Sequence, residues 1–179
     1  MTGAGLPTRR LFFACWPTPA VRAMLCRETG ARVRHCGGLP VAPADLHLTL
    51  AFLGQVDDAQ QAALVAAARR LAVPDFSLAL DRYGWFEAAQ VLWLGCREVP
   101  AALARLAGEL AGQARAAGLQ PDPRPFRPHV TLARKVRNPP DLAPPRMLTW
   151  PVGDFALVES LAAPAGLRYR LCRRFPDSG

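Results

Sequence analysis

The chain has 179 residues, about half of them hydrophobic, which is enough to bury a core of its own. Its five cysteines (Cys15, Cys26, Cys36, Cys96, Cys172) are odd in number, scattered and without a C-x-x-C, which argues against a disulfide framework and a structural zinc site. Basic residues outnumber acidic ones 22 to 14, a net charge of +8 that suits polyanionic partners such as RNA, DNA or nucleotides.

All but one of the basic residues are arginine, the exception being Lys135. A GC-rich genome accounts for arginine over lysine but not for the sign of the charge. The opening MTGAGLPTRR leads only into the short apolar run LFFACW, and no run is long enough to span a bilayer. The expected compartment is the cytoplasm, with no membrane association.

Taken in chain order, apolar periods of two and 3.6 residues alternate. Leu11–Trp16 reads as a buried strand. Thr18 as N-cap and Pro19 at the first helical position open a helix with Val21, Met24 and Leu25 on its inner face, expected to stop near Gly30. The run from Leu46 to Gly54 reads as a strand. Asp57 and Gln60 form a capping-box pattern before a helix with Leu64, Val65, Ala68 and Leu71 inward, closed by Pro74. Strands are expected at Phe76–Leu80 and Val91–Cys96. Pro100 starts a helix with Leu103, Leu106, Ala107, Leu110 and Ala114 inward, and Gly118 ends it. A strand at His129–Arg134, a Pro-rich loop at Asn138–Arg146 and strands near Phe155–Leu161 and Leu167–Cys172 complete the chain. Without a regular βαβ alternation, the pattern is α+β with an antiparallel sheet.

Within LHLTLAFLG, strand geometry puts His47 and Thr49 on one face and Leu48, Leu50 and Phe52 on the other. PHVTLARKV repeats the device with His129 and Thr131, and HLTLA matches HVTLA at four of five positions. Each copy follows a strand, a helix and a Pro-containing turn. Two related lobes within one domain spanning 1–179 are expected, and a pseudo-twofold axis would set the two pairs facing each other across a central cleft. Taken singly, each pair also reads as the solvent side of an amphipathic strand. His35, in RHCGG, reads as an ordinary loop histidine.

Two imidazoles across a cleft suit in-line displacement at phosphorus. One accepts a proton on the attacking side and the other donates one on the leaving side. The threonine hydroxyls can hydrogen-bond the equatorial phosphate oxygens. This chemistry needs no metal and no cofactor.

The paired H-x-T-L motifs, the opening RLFFACWP, LHLTLAFLGQV, VLWLG and RPFRPHVTLAR resemble the two-histidine (2H) phosphoesterases. Within them the similarity points to the bacterial and archaeal RNA 2′,3′-cyclic phosphodiesterases, also called 2′-5′ RNA ligases, and runs from Arg10 to about Phe175. The resemblance implies a bilobal α+β fold with antiparallel sheets and outer helices around a central cleft. It implies hydrolysis of RNA 2′,3′-cyclic phosphate ends, tRNA fragments among them, to 2′-phosphomonoesters, with reversible 2′-5′ ligation. It also implies His47 as proton donor, His129 as proton acceptor, and an arginine near the phosphate at the position of Arg134. No obligate protein partner is expected.

Arg134 falls five residues after His129, whereas Phe52 holds that place after His47. A surface arginine at a strand end is the competing reading for Arg134. Arg124 and Arg127 could touch an RNA backbone, and Trp85, Phe86 and Tyr169 could stack on a base or belong to the core. A metal centre would need three or four ligands, and neither motif carries a further His or Cys; Asp57 and Asp58 suit helix capping. Two other functions fit the same sequence: a 2H phosphodiesterase for small cyclic nucleotides or 2′-5′ oligonucleotides, and a non-enzymatic RNA-binding module.

Overall fold

A computed structural model of the chain describes residues 7–73, 75–163 and 166–176. Among these residues ten strands and three helices are formed: β1 (Arg9–Cys15), α1 (Pro19–His35), β2 (Leu39–Pro40), β3 (Leu48–Val56), α2 (Asp58–Ala68), β4 (Phe76–Leu80), β5 (Arg82–Phe86), β6 (Val91–Gly95), α3 (Ala101–Ala116), β7 (His129–Arg134), β8 (Leu148–Val152), β9 (Phe155–Ala163) and β10 (Gly166–Phe175). Eight strands make one sheet in the order β10-β9-β1-β3-β7-β6-β5, with β2 beside β7; β4 and β8 pair separately. Neighbouring strands run antiparallel, as expected for the α+β class. The segments β1–α1–β3 and β6–α3–β7 are the two repeats. Their strands occupy the sheet as β1-β3-β7-β6, an order that reads alike under a twofold rotation. The axis passes where Leu48 faces Val130.

Local chemistry sets the helix ends. The Thr18 hydroxyl accepts from the Val21 N–H (3.3 Å), and Pro19 follows. α1 does not stop at Gly30. Glycine inside a helix costs only about 1 kcal/mol, and buried Thr29 continues the inner face of Val21 and Leu25, bonding its hydroxyl to the Leu25 carbonyl. The terminating glycine is Gly37, at φ +66° just after the Cys36 cap. His35 therefore sits in the last turn of α1 rather than in a loop, its Nδ1 2.7 Å from the Ala31 carbonyl oxygen. Both halves of the Asp57–Gln60 capping box form, at 2.8 and 3.1 Å. α2 ends at Ala68, short of the expected stop, so Leu71 falls in a bend beyond the helix; Pro74 lies outside the described residues. α3 buries all five expected positions and ends in paired bonds from Gly118 N to Arg115 O and from Leu119 N to Ala114 O, with Gly118 at φ +79°.

The helices cover one face of the large sheet. Leu25, Leu64, Leu103, Leu106 and Leu110 pack there against Leu11, Phe13, Leu48, Leu50, Leu92, Leu94 and Val130. The β4–β8 ribbon adds Leu78, Leu80, Leu148 and Trp150 to that core. On the opposite face Phe12, Ala14 and Trp16 join Ala156 and Val158 in a smaller cluster, with Tyr169 and Leu171 against it. β1 is buried on both faces, which is why its sequence is an unbroken apolar run.

Three strands were not expected from the sequence. β2 is two residues long, and β8 carries Pro151, which the edge of a two-stranded ribbon tolerates because no ladder N–H is needed there. β5 carries the aromatics Tyr83, Trp85 and Phe86 around Gly84. Its glycine has a packing role: a Cβ at Gly84 would lie inside the Trp93 indole, which rests on the bare backbone. Gly84→Ala is therefore expected to lower stability by about 1–3 kcal/mol through overpacking. Urea denaturation against wild type measures this; an unchanged midpoint would show that Trp93 does not depend on that space.

Candidate active site

The two motif strands share a defect as well as a sequence. On β3, Thr49 pairs with Ala14 but Ala51 pairs with Phe13, so Leu50 is an extra residue. On β7, Thr131 pairs with Trp93 but Ala133 pairs with Leu92, so Leu132 is the extra residue. Each bulge lies three residues after its histidine and shifts the alternation of faces that follows. The runs Leu50–Ala51–Phe52 and Leu132–Ala133–Arg134 are consequently buried, buried, exposed.

Phe52 thus differs from the expectation that it shares a face with Leu48 and Leu50. It is 51% exposed and lies on the histidine side, its ring 6.0 Å from that of Phe12, which is in turn 5.1 Å from His47. The same shift carries Arg134 to the exposed side of β7, where its charge acts on both His47 and His129. Leu48 opposite Val130 in an antiparallel register directs His47 toward Thr131 and Thr49 toward His129, all on one face. The structure brings together His47, Thr49, His129, Thr131 and Arg134.

Matching backbone contacts hold the two imidazoles. His47 Nδ1 lies 2.7 Å from the Asp45 carbonyl oxygen, and His129 Nδ1 lies 2.7 Å from that of Arg127. A carbonyl only accepts, so each Nδ1 carries a proton and each neutral ring keeps its lone pair on Nε2. His47 itself just precedes β3, after a 3₁₀ turn at Pro43–Asp45. That turn is tied to β10, because the Tyr169 backbone N–H bonds the Asp45 side chain. Among the described residues no protein group engages the Thr49 or Thr131 hydroxyl, and Arg134 forms no ion pair.

Aromatic rings surround both histidines, more closely the first. Trp16 stacks parallel to His47 at 5.1 Å with a 2° interplanar angle, and Tyr169 meets it edge-on at 4.8 Å. His129 has Phe86 edge-on at 5.1 Å and Trp93 at 6.0 Å. Burial lowers the His47 pKa to about 4; the charges of Arg134 and His129 add to the shift, and the Asp45 carbonyl opposes it. Burial also lowers that of His129, with Arg134 acting the same way and the Arg127 carbonyl opposing it. Both rings are neutral at pH 7 in the free site, and an anion between them would offset Arg134 and favour protonation.

The remaining candidates divide. Phe86 and Tyr169 line the site. Trp85 points to the helix side, donating its indole N–H to the Val136 carbonyl at 2.9 Å and packing on the core. Arg127 serves through its backbone, and Arg124 pairs with Asp122. Sequence reasoning passed over Phe12, Trp16, Phe52 and Trp93. The first, second and fourth had a signal, since each lies on a predicted strand at alternate spacing. Among the described residues no three His, Cys, Asp or Glu side chains gather at a point that could hold a metal ion.

The model of the 2′-5′ RNA ligase superfamily matches residues 22–163. The chain is 36% identical to an RNA 2′,3′-cyclic phosphodiesterase of Escherichia coli K12, over 93% of this chain and 96% of the relative. It is 35% identical to an RNA 2′,3′-cyclic phosphodiesterase of Thermus thermophilus, over 95% and 91%. The crystal structure of E. coli LigT complexed with 3′-AMP superposes with a TM-score of 0.88 at 35% identity, covering 97% of this chain and all of that one. With the family model spanning most of its length, and with a doubled His–Thr strand at the centre of its sheet, the chain belongs to the 2′-5′ RNA ligase superfamily.

Proposed function

We propose that the protein hydrolyses RNA 2′,3′-cyclic phosphate ends to 2′-phosphomonoesters without a metal ion, as a single bilobal domain spanning 1–179 and working in the cytoplasm. The observation that carries this reading is the pair of twofold-related imidazoles, each presenting Nε2, with one arginine acting on both. The names of the curated relatives support the substrate class, and among the described residues no helix is long and apolar enough to cross a membrane.

His129 Nε2 takes a proton from water as the water oxygen bonds to phosphorus. The P–O3′ bond breaks opposite, and His47 Nε2–H protonates the departing oxygen. Thr49 and Thr131 hydroxyls donate to the non-bridging oxygens, and the Arg134 guanidinium balances their charge. With an RNA 5′-hydroxyl in place of water, the same proton transfers join two strands through a 2′-5′ linkage. Fragments of cleaved tRNA carry the required end and are proposed substrates.

His47 is the more enclosed ring, so its protonated form is scarce in the free site and a strong acid once formed. The substrate's own negative charge supplies the missing stabilisation. Limbs of the pH profile near neutrality, the ordinary expectation for two histidines, therefore do not apply to the free enzyme. With the pKa values of both histidines below the usual 6.5, the kcat/KM profile is expected to be a bell whose limbs lie on the acid side of neutrality. The bound anion raises both values, so the kcat profile should lie at higher pH. Superimposable kcat and kcat/KM profiles would refute this coupling.

His47→Ala and His129→Ala should each lower turnover at least ~10²-fold, the usual range for general acid–base groups. The double variant should lose far less than the product of the singles, because both groups act on one transition state. Thr49→Val and Thr131→Val should lose less than either histidine variant. If the double histidine variant still binds RNA, recognition and chemistry are separate; normal turnover in either single variant refutes the acid–base assignment of that histidine.

The deciding experiment is incubation with an RNA oligomer ending in 2′,3′-cyclic phosphate, in EDTA, with the product isomers identified. A 2′-phosphate resistant to a 3′-specific phosphatase is the expected product, because His47 must face O3′ for that bond to break. A 3′-phosphate would mean the ribose binds the other way round. Turnover confined to small cyclic nucleotides or 2′-5′ oligonucleotides would move the assignment within the two-histidine class.

A further inference from the structure

Beyond His129 the site face of the sheet continues to its β5 edge. Gly95 pairs with His129, and Arg82 pairs with Gly95. Directly paired residues share a face, so His129 and Arg82 stand in one row with only a glycine between them. Two interstrand spacings separate their Cα atoms by about 10 Å. Trp93 lies flat over Gly84 on the same face and spans the interval, its ring 6.0 Å from His129 and 5.8 Å from the Arg82 guanidinium carbon.

Arg82 and Arg97 line a hollow of about 360 Å³ together with Tyr83, Leu142 and Pro144. Both arginines are exposed, and among the described residues neither guanidinium has a carboxylate partner. The nearby Asp81 carboxylate accepts the backbone N–H of Arg97 at 2.9 Å. The other end of the same face differs: Phe12, Val158 and Leu171 form an apolar row across β1, β9 and β10.

A cyclic phosphate held between the two histidines closes the 3′ end of its strand, so the rest of an RNA extends only from the 5′ side. Its next negative charge is the phosphodiester joining the last two nucleotides. A strand leaving toward β5 crosses an aromatic surface and meets unpaired guanidiniums; one leaving toward β10 meets apolar side chains. We propose that Arg82, with Arg97 on the same hollow, binds that penultimate phosphodiester, so that the enzyme selects oligonucleotide ends over mononucleotide cyclic phosphates. The inference rests on the cyclic-phosphodiesterase reading.

The test compares three substrates in EDTA: a nucleoside 2′,3′-cyclic monophosphate, a dinucleotide ending in a 2′,3′-cyclic phosphate, and that dinucleotide with an uncharged methylphosphonate internal linkage. Wild type should favour the charged dinucleotide over the other two by about tenfold or more in kcat/KM, the scale of one charge-assisted hydrogen bond. Arg82→Gln should lower the dinucleotide-to-mononucleotide ratio about tenfold, and Arg82→Lys should restore part of it. The log–log salt dependence of dinucleotide binding should flatten by about 0.7 in Arg82→Gln, the value for one contact to a single strand. Equal kcat/KM for all three substrates in wild type, or an Arg82→Gln loss identical for all three, overturns the subsite alone. Hydrolysis of none of them overturns the functional reading and the subsite with it.

Discussion

The antiparallel contact between β3 and β7, with Leu48 facing Val130, is the constraint on which the site depends. It places two His–Thr strands back to back in one sheet, so both imidazoles and both hydroxyls share a face without a loop having to position them. Strand-borne groups in a continuous sheet are held by ladder hydrogen bonds on either side, here from β1 and β6. The helices pack on the reverse face, so the core that stabilises the sheet leaves the site face open. The bulges at Leu50 and Leu132 complete the arrangement by turning the fifth residue after each histidine toward the site. One repeat uses that place for Phe52 and the other for Arg134, so a twofold backbone carries unlike side chains.

That asymmetry fits the electrostatics of an anion-binding site. Two half-buried imidazoles beside a guanidinium resist protonation while the site is free, and His47, enclosed by Trp16, Phe12 and Tyr169, resists most. An anion placed between them would offset that charge and favour protonation. The Nδ1 contacts to backbone carbonyls keep Nε2 as the nitrogen that gains and loses the proton. Removing either carbonyl's geometry would free the tautomer as well as the ring orientation.

The chemistry and its recognition surface occupy different parts of the same face. Around the axis stand His47, Thr49, His129 and Thr131, the groups proposed to act on the phosphate. Toward β5, Trp93 and Arg82 lie on a stretch that owes its shape to two glycines, Gly84 and Gly95, each of which leaves room for the Trp93 ring between His129 and Arg82. Glycines that look like punctuation in the sequence therefore shape this part of the face.

Much of this was written locally in the chain. The unbroken apolar run at Leu11–Trp16, the alternating run at His129–Arg134, the Asp57–Gln60 capping box and the α3 stripe ending at Gly118 formed as the sequence implies, because each depends on neighbours within a few positions. The repeated H-x-T also sufficed to pair His47 with His129, since a repeat that folds alike places like residues alike. What the sequence could not determine depends on partners distant in the chain. Gly30 is the stop the local sequence suggests, and Gly37 takes that place because the core buries a further turn of α1. β5 has strand-favouring aromatics around a glycine, and it is fixed as a strand by the ladder from β6 and the contact with Trp93. The faces of Phe52 and Arg134 were decided by bulges, which exist only as mismatches of register between strands and leave no mark on either strand alone. The depressed histidine pKa values likewise arise from rings and a guanidinium gathered by the sheet, because desolvation and Coulomb interactions follow distance in space rather than position in the chain.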